Sequence, residues 1–413
     1  MGKRLQERTT GLQGRYMKRG SFLIVIVLFL VALLPNFKIW AQDTKPAGAL
    51  EANKENSEIY GYDMRTASNS DAQKPKITEV TPEIPRTYYH FKDGRGLFYY
   101  NGKCGYLGAD GRLIIEPEYS RGTLFAEGVA LVEDTNSNLI ILDKAGNEAF
   151  VSKEYKFPGT GGYFNNGTAI LESKDNKHFV IINKSGKELG VIQKTGYVPR
   201  GKLSNGVIVW SLNNSNKIKL TDVTGKELSK EIITGFGANN FPQLNFNDKL
   251  LAIPDFDKSW NVIDTTGKKV FKENFEVLGQ PSEGLIAFKR YGKWGYIDYK
   301  GKISIKPQYD SAHDFSNGLA AVSVNGKVGF IDKNNKMIIA PKFNAEPRLN
   351  LTSIEYYQFG SKGVAIIPDN NGTVIDKSGR VLLSANSGTT ILYQGDGIIC
   401  FYSNEKCKLY KFQ

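Results

Sequence analysis

"YGKWGYIDYKGKISIKPQYD", residues 291 to 310, decides how this chain reads. It holds a Trp-Gly pair at Trp294 and Gly295, then Asp298, then Gly301 three residues on, then Pro307 six residues beyond that glycine. Taken alone, it suggests a binding site. Taken as one copy among several, it is a building block. The chain answers by repeating. Aligned on the turn glycine, the copies run Gly111, Gly146, Gly186, Gly225, Gly267, Gly301, Asn335 and Gly379, at spacings of 34 to 44 residues. Three residues before each stand Gly108, Asp143, Asn183, Asp222, Asp264, Asp298, Asp332 and Asp376, all but the first Asp or Asn.

The pattern has a local cause. An Asp or Asn opening a turn accepts hydrogen bonds from the backbone just ahead, and the glycine takes the positive φ that closes it. Asn335 substitutes because Asn tolerates that conformation better than other side chains. The turn joins two short apolar runs, as in "WGYID" and "KISIKP" or "VGFID" and "KMIIAP". Pro117, Pro307 and Pro341 each lie six residues past the turn position. Because proline donates nothing to a ladder, it is expected to end the strand. A third run opens each unit, for example "EGVALV", "NGLAAV" and "KGVAII", and a weaker fourth is expected in segments such as "QYDSAHDF". No segment past residue 50 sustains a 3.6-residue period, so almost no helix is expected.

Eight units are clear from about residue 97 to 398, a ninth segment "GIICFYSNEKCKLYKF" ends the chain, and "RTYYHFKDGRGLFYY" supplies strand material in front. The expected fold is all-β, with about eight antiparallel units, in the size range of propeller blades. The terminal strands would close the ring. An open β-solenoid or stack of hairpins is the alternative.

Residues 292 to 344, "GKWGYIDYKGKISIKPQYDSAHDFSNGLAAVSVNGKVGFIDKNNKMIIAPKFN", resemble two consecutive WG repeats, also described as KWG repeats, found mainly in bacterial proteins. The resemblance is specific there and at 102 to 132, and degenerate between about 133 and 290. It implies an all-β repeat protein with a binding or scaffold role and no catalytic activity. On this reading Gly105, Trp260, Trp294, Gly295, Asp298, Gly301, Pro307, Gly329, Asp332, Pro341, Asp376 and Gly379 are structural repeat residues. The Trp294 position is held elsewhere by Cys104, Leu139, Phe179, Ile218, Trp260, Val328 and Gly372, so it reads as core, because a ligand-reading Trp does not alternate with Val, Leu and Ile.

The N-terminus carries a different signal. Six Lys/Arg precede "SFLIVIVLFLVALL" at 21 to 34. Fourteen helical residues rise about 21 Å, short of a bilayer core of roughly 30 Å. This reads as an export signal, with cleavage between Ala41 and Gln42. Its style resembles signal peptides of the Bacteroidota. An uncleaved inner-membrane anchor formed by residues 21–40 is the alternative, and Met17 is a second candidate start. Residues 42–85 read as a flexible polar linker and 86–413 as the repeat domain. Half of the net charge of +12 sits in residues 1–41, so the remainder is mildly basic without a basic run, which argues against nucleic acid. The chain has three cysteines, Cys104, Cys400 and Cys407. Cys400 and Cys407 lie in one hairpin, within reach of a bridge, but all three are expected to serve as small apolar strand residues.

Chemistry finds little support in the pattern. His90, His178 and His313 share neither repeat position nor metal-ligand spacing, so no metal or other cofactor is expected. Nucleophile-elbow and phosphate-loop motifs are absent. Asp255, Asp257, Asp310 and Asp314 lie off the turn pattern and read as exposed loop carboxylates, with Asp310 and Asp314 the pair most able to face a groove. Exposed aromatics, among 21 Tyr and 23 Phe, are better candidates for ligand contact. The expectation is a noncatalytic exported scaffold binding a protein or glycan at the cell envelope, in the periplasm, at the surface or secreted. A carbohydrate-active or other hydrolytic enzyme on a β-propeller is the alternative.

Overall fold

The computed structural model describes residues 76–80, 89–158, 164–237, 242, 244–344, 356–368, 372–386, 389–403 and 406–413. Among them the regular elements are β-strands, with no helix. The strands form nine sheets in chain order. They span 90–119, 121–152, 155–193, 197–233, 250–264, 277–309, 311–344, 364–384 and 390–412, and are numbered here 1 to 9. Sheet 7 shows the plan. A short strand a, Ser311–Ala312, pairs with b, Ala320–Val324; b pairs with c, Lys327–Ile331; c pairs with d, Met337–Asn344, all antiparallel. The expected weak fourth strand is therefore strand a, and it opens the sheet, so the four-stranded units start one strand earlier than the apolar runs suggest; among the described residues sheet 5 has two strands and sheet 8 three.

Each sheet is buried on both faces, which is why its strands read as unbroken apolar runs. In Leu285–Arg290, Leu285 and Ala287 pack with Trp294, Tyr296, Phe315 and Val322 in the seam between sheets 6 and 7. Ile286 and Phe288 turn the other way, onto Ala252, Val262 and Phe275 in the seam between sheets 5 and 6. A hydrophobic cluster of this kind joins every successive pair of sheets. One more, built on Phe91, Phe98, Leu107, Ile398, Cys400 and Leu409, joins sheet 9 back to sheet 1. The repeat domain is thus a closed β-propeller, and the sheets are its blades. The eight expected units become nine, because the chain's last segment completes a blade.

That blade takes its fourth strand from the front of the chain. Ile77–Val80 pairs with Lys406–Phe412, Ile77 opposite Phe412 and Val80 opposite Leu409. This strand lies inside the stretch expected to be linker. Cys400 and Cys407, on neighbouring strands of the blade, are joined by a disulfide. That corrects the expectation of free cysteines for this pair. Cys104 stays free and buried, and burial pushes its thiol up to about 12.

The Trp-Gly pair now has a geometric reading. Trp294 faces Tyr309 and Tyr296 faces Ile305, so Gly295 stands opposite three residues, Lys306 to Gln308, that bulge from strand d. A Cβ on Gly295 would collide with the Ile305 carbonyl and lie 2.8 Å from Pro307 N. Gly105 and Gly329 meet the same bulges at Pro117 and Pro341. Proline therefore does not end the strand: Ile303–Tyr309 and Met337–Asn344 run on past Pro307 and Pro341. It sits where the ladder needs no donor, on an edge strand that the bulge blunts.

Blade 5 solves the same problem differently. Asn261 replaces the glycine, and its buried side chain donates to the carbonyls of Phe271 at 3.3 Å and Glu273 at 3.2 Å, while accepting from Val262 N. Asn261→Ala strands those carbonyls and is expected to cost about 2 kcal/mol. Urea unfolding checks it, and a midpoint within error of the parent would refute the role.

The Asx turns behave as their composition predicts. Asp298 Oδ1 accepts from Lys300 N and Lys302 N, both at 2.9 Å, and Gly301 takes φ 82°. Asp332 and Asp376 do the same for their own turns, Gly379 closing the latter.

Candidate functional site

In an antiparallel sheet, successive turns fall at opposite ends. The a–b and c–d turns share one end of the ring, and the b–c hairpin tips share the other.

The first end is given over to joining blades. Residues before the a–b turn glycines, or before Lys249 that stands in the glycine's place in blade 5, bond to the next blade. Asp396 accepts from Gly94 N at 2.6 Å. Asp93 accepts from Gly128 N and pairs with Lys144 at 2.6 Å. Glu127 accepts from Asn166 N and Gly167 N at 2.7 Å, with Lys184 at 3.6 Å. Asn205 accepts from Lys249 N, and Asp248 from Tyr299 Oη. Glu283 accepts from Gly318 N at 3.1 Å and pairs with Lys333 at the same distance. Asn317 donates to the Phe359 carbonyl at 2.6 Å. Burial works against ionising Asp93, but Lys144 and Gly128 N–H outweigh it and hold the carboxyl below its ordinary range. The "E/N/D-G" openings of the apolar runs are thus an inter-blade latch. The sequence carries that signal in register, as a polar residue before the glycine, or Lys249 in blade 5, that opens each apolar run.

The seams hold the remaining repeat residues. Trp294 is only 6% exposed and Trp260 is half-buried, both in inter-blade clusters. Tyr296 Oη donates to the His313 carbonyl at 2.8 Å, as Tyr106 Oη does to that of Thr123 at 2.7 Å. Ala41 and Gln42 lie outside the described residues, as does the whole export or anchor segment. No helix among the described residues is long and apolar enough to cross a membrane.

The candidate carboxylates part company. Asp255 pairs with Lys269 at 2.6 Å, and Asp257 accepts from Ser259 N. Asp310 is partnered: it pairs with Lys293 at 2.6 Å and accepts from Asn325 N at 2.7 Å. Asp314, expected as an exposed loop residue, is wedged into the seam against Gly279, where any Cβ would strike its carboxylate. Burial pushes its carboxyl up to about 6, against the pull of Gln280 N–H at 3.3 Å. Next to it, burial lowers His313 to about 4. His90, on blade 1, and His178, on blade 3, are far along the chain from it. Among the described residues no three His, Cys, Asp or Glu side chains gather as for a metal.

Asp314 gives a signed prediction. Its folded pKa, about 6, lies above the ordinary 3.8, so the fold penalises the ionised form. That penalty is complete above about pH 6 and vanishes as pH falls below the ordinary value. Asp314→Asn keeps the acceptor for Gln280 N–H. It is expected to gain about 1–2 kcal/mol over the parent at pH 8 and only a small part of that at pH 4, the His313 contribution being common to both. Melting curves at the two pH values decide it; an equal difference at both would refute it.

The second end is barer. Phe256, on the b–c tip of blade 5, is 75% exposed, and Tyr291, on that of blade 6, is 91% exposed. They are the most exposed aromatics among the described residues, ahead of Tyr99 at 49% and Tyr100 at 43% beside the blade 1 tip, and the sequence offered them as candidates without singling them out.

A family described as WG containing repeat matches residues 105–136, 260–294, 294–327 and 329–345. The copy from 260 lies in the stretch expected to be degenerate. No curated protein matches the chain. Among solved structures, the computationally designed Ika8 protein is similar at 15% identity over 70% of this chain and 94% of that one, with a TM-score of 0.38. BamB from Moraxella catarrhalis is similar at 11% identity over 82% and 100%, TM-score 0.38. Kluyveromyces lactis Hsv2 is similar at 11% identity over 70% and 94%, TM-score 0.33.

Proposed function

For a chain that carries WG-containing repeats at four places, we propose a noncatalytic binding scaffold for a protein partner, working at the cell envelope. The observation that supports it is the fate of the polar side chains. Turn carboxylates cap their own backbone, and carboxylates before the turn glycines latch one blade to the next. Hydrolysis of a glycoside needs two facing carboxylates free to act as acid and as base or nucleophile. Asp310 is committed to Lys293 and to Asn325 N–H, which leaves Asp314 in the seam without it.

The test is twofold. Tagged full-length chain, recovered from envelope fractions of the source cells, is expected to carry one protein in fixed stoichiometry, confirmed by reciprocal capture. A panel of chromogenic glycosides, esters and peptides is expected to show no turnover above a denatured control. Turnover that falls in Asp314→Asn would replace the scaffold with the hydrolytic reading. Fractionation that finds the chain outside the envelope would remove the placement and leave the scaffold.

A further inference from the structure

We infer that the adjacent b–c hairpin tips of blades 5 and 6 form the docking surface, with Phe256 and Tyr291 inserting into apolar pockets of a protein partner. This rests on the scaffold reading and names its surface.

The sister blades supply the comparison. The tip of blade 1 is Asn101-Gly102 and that of blade 7 is Asn325-Gly326, both with the Asn at positive φ of 48° and 51°. Asn suits this left-handed position because its short side chain tolerates it. Blade 6 keeps the turn but places Tyr291 there, at φ 52°. A bulky aromatic in that region is strained, and strain of this kind gathers at functional sites. Tyr291 is held only through its backbone, its N–H donating to Glu276 at 2.7 Å, while its side chain stands in solvent.

Blade 5 departs in parallel. Its tip, Asp255 to Ser259, is built like Asp134 to Asn138 of blade 2. Asp255 N donates to the Ser259 carbonyl as Asp134 N does to that of Asn138, and Lys258 N returns to Asp255 O as Ser137 N does to Asp134 O. Where blade 2 has Thr135, blade 5 has Phe256. Two neighbouring tips have thus each exchanged a polar residue for an aromatic that the ring does not bury. Exposed aromatics of this kind are the anchors that fill pockets in protein interfaces.

Charge decides the class of partner. Both signs meet around these tips: Arg290 pairs with Glu273 at 2.7 Å, Lys293 with Asp310 at 2.6 Å and Lys269 with Asp255 at 2.6 Å, and the blade 5 tip itself carries Asp257 beside Lys258. A polyanion, whether nucleic acid or an anionic bilayer, would be drawn by an excess of one sign. Apolar anchors in a balanced polar surround fit a protein with a concave apolar surface.

The test introduces the photo-cross-linking residue benzoylphenylalanine into the full-length chain in source cells, at position 256 or 291 and, as controls, at Val151 or Ile233, which are exposed on blades 2 and 4. A single protein adduct is expected at 256 and 291 and none at the controls. The captured protein, purified, is then titrated against the parent and the double variant Phe256→Thr, Tyr291→Asn, which restores the residues of the sister blades. Affinity is expected to fall at least tenfold while the melting temperature stays equal or rises. Adducts at the controls alone would overturn this surface and leave the scaffold standing. Adducts nowhere would remove both. Adducts to lipid or polysaccharide at 256 and 291, or undiminished affinity of the double variant, would overturn the proposal.

Discussion

Trp294→Ala lowers the stability of the ring by about 3–5 kcal/mol, the usual cost of emptying a buried aromatic site. The indole is 6% exposed and belongs to the cluster that joins blades 6 and 7, with Leu285, Ala287 and Tyr309 on one side and Phe315, Ala320 and Val322 on the other. The loss is expected at a seam, so it weakens the docking of two blades more than either blade itself. Thermal unfolding followed by far-UV circular dichroism should show a lowered midpoint, and limited proteolysis should cut first near that seam. An unchanged midpoint would return Trp294 to the surface and reopen its reading as a ligand contact. The substitutions that other copies already make, Leu139 and Val328 among them, show how the seam tolerates smaller apolar groups when its neighbours are matched to them.

Gly295→Ala is expected to cost about 3 kcal/mol, although it adds a single methyl group. The reason is backbone rather than side chain. The new Cβ would meet Ile305 O and approach Lys306 C and Pro307 N at 2.8 Å, and none of these can move without undoing the bulge. Overpacking of this kind forces main-chain shifts. Gly102 is the control: open space surrounds its Cβ position and only its φ of 76° resists substitution. Gly102→Ala should therefore cost about 1 kcal/mol, the ordinary left-handed penalty. Equal effects at the two sites in urea unfolding would show that the bulge contact is not what selects glycine after tryptophan.

The repeat, the Asx turns and the all-β ring were legible because each recurs at matched positions, and recurrence separates signal from chance. Three parts were not. The bulge was hidden because Pro307 looks the same whether it stops a strand or sits in a gap of its ladder. The closing strand was hidden because "ITEV" is four residues in a polar stretch, and only its partner at Leu409–Phe412, at the other end of the repeat domain, gives it a ladder. The part played by Asn261 in blade 5 was hidden because it does with a side chain what Gly295 does by lacking one. On the candidate surface, the Tyr-Gly tip among Asn-Gly tips stood in the sequence, but its meaning depends on the sign of φ and on solvent exposure, and neither is written in residue identity. Asp314 was misplaced for a related reason: the cavity that admits it is made by Gly279, on another blade.

The pairing of Ile77–Val80 with Lys406–Phe412 sets an order in time. Blades 1 to 8 draw their strands from consecutive segments and can stack as they leave the ribosome. Blade 9 cannot be completed until the final strand has emerged to meet one of the first. Until then its unfinished edge, and the apolar face of blade 1 that receives it, are both open to water. Loop closure over so long a span is slow, and an intermediate with exposed strand edges is prone to aggregate. Truncation within 406–412 is therefore expected to do more harm than its length suggests, leaving a stacked chain that has no way to shut.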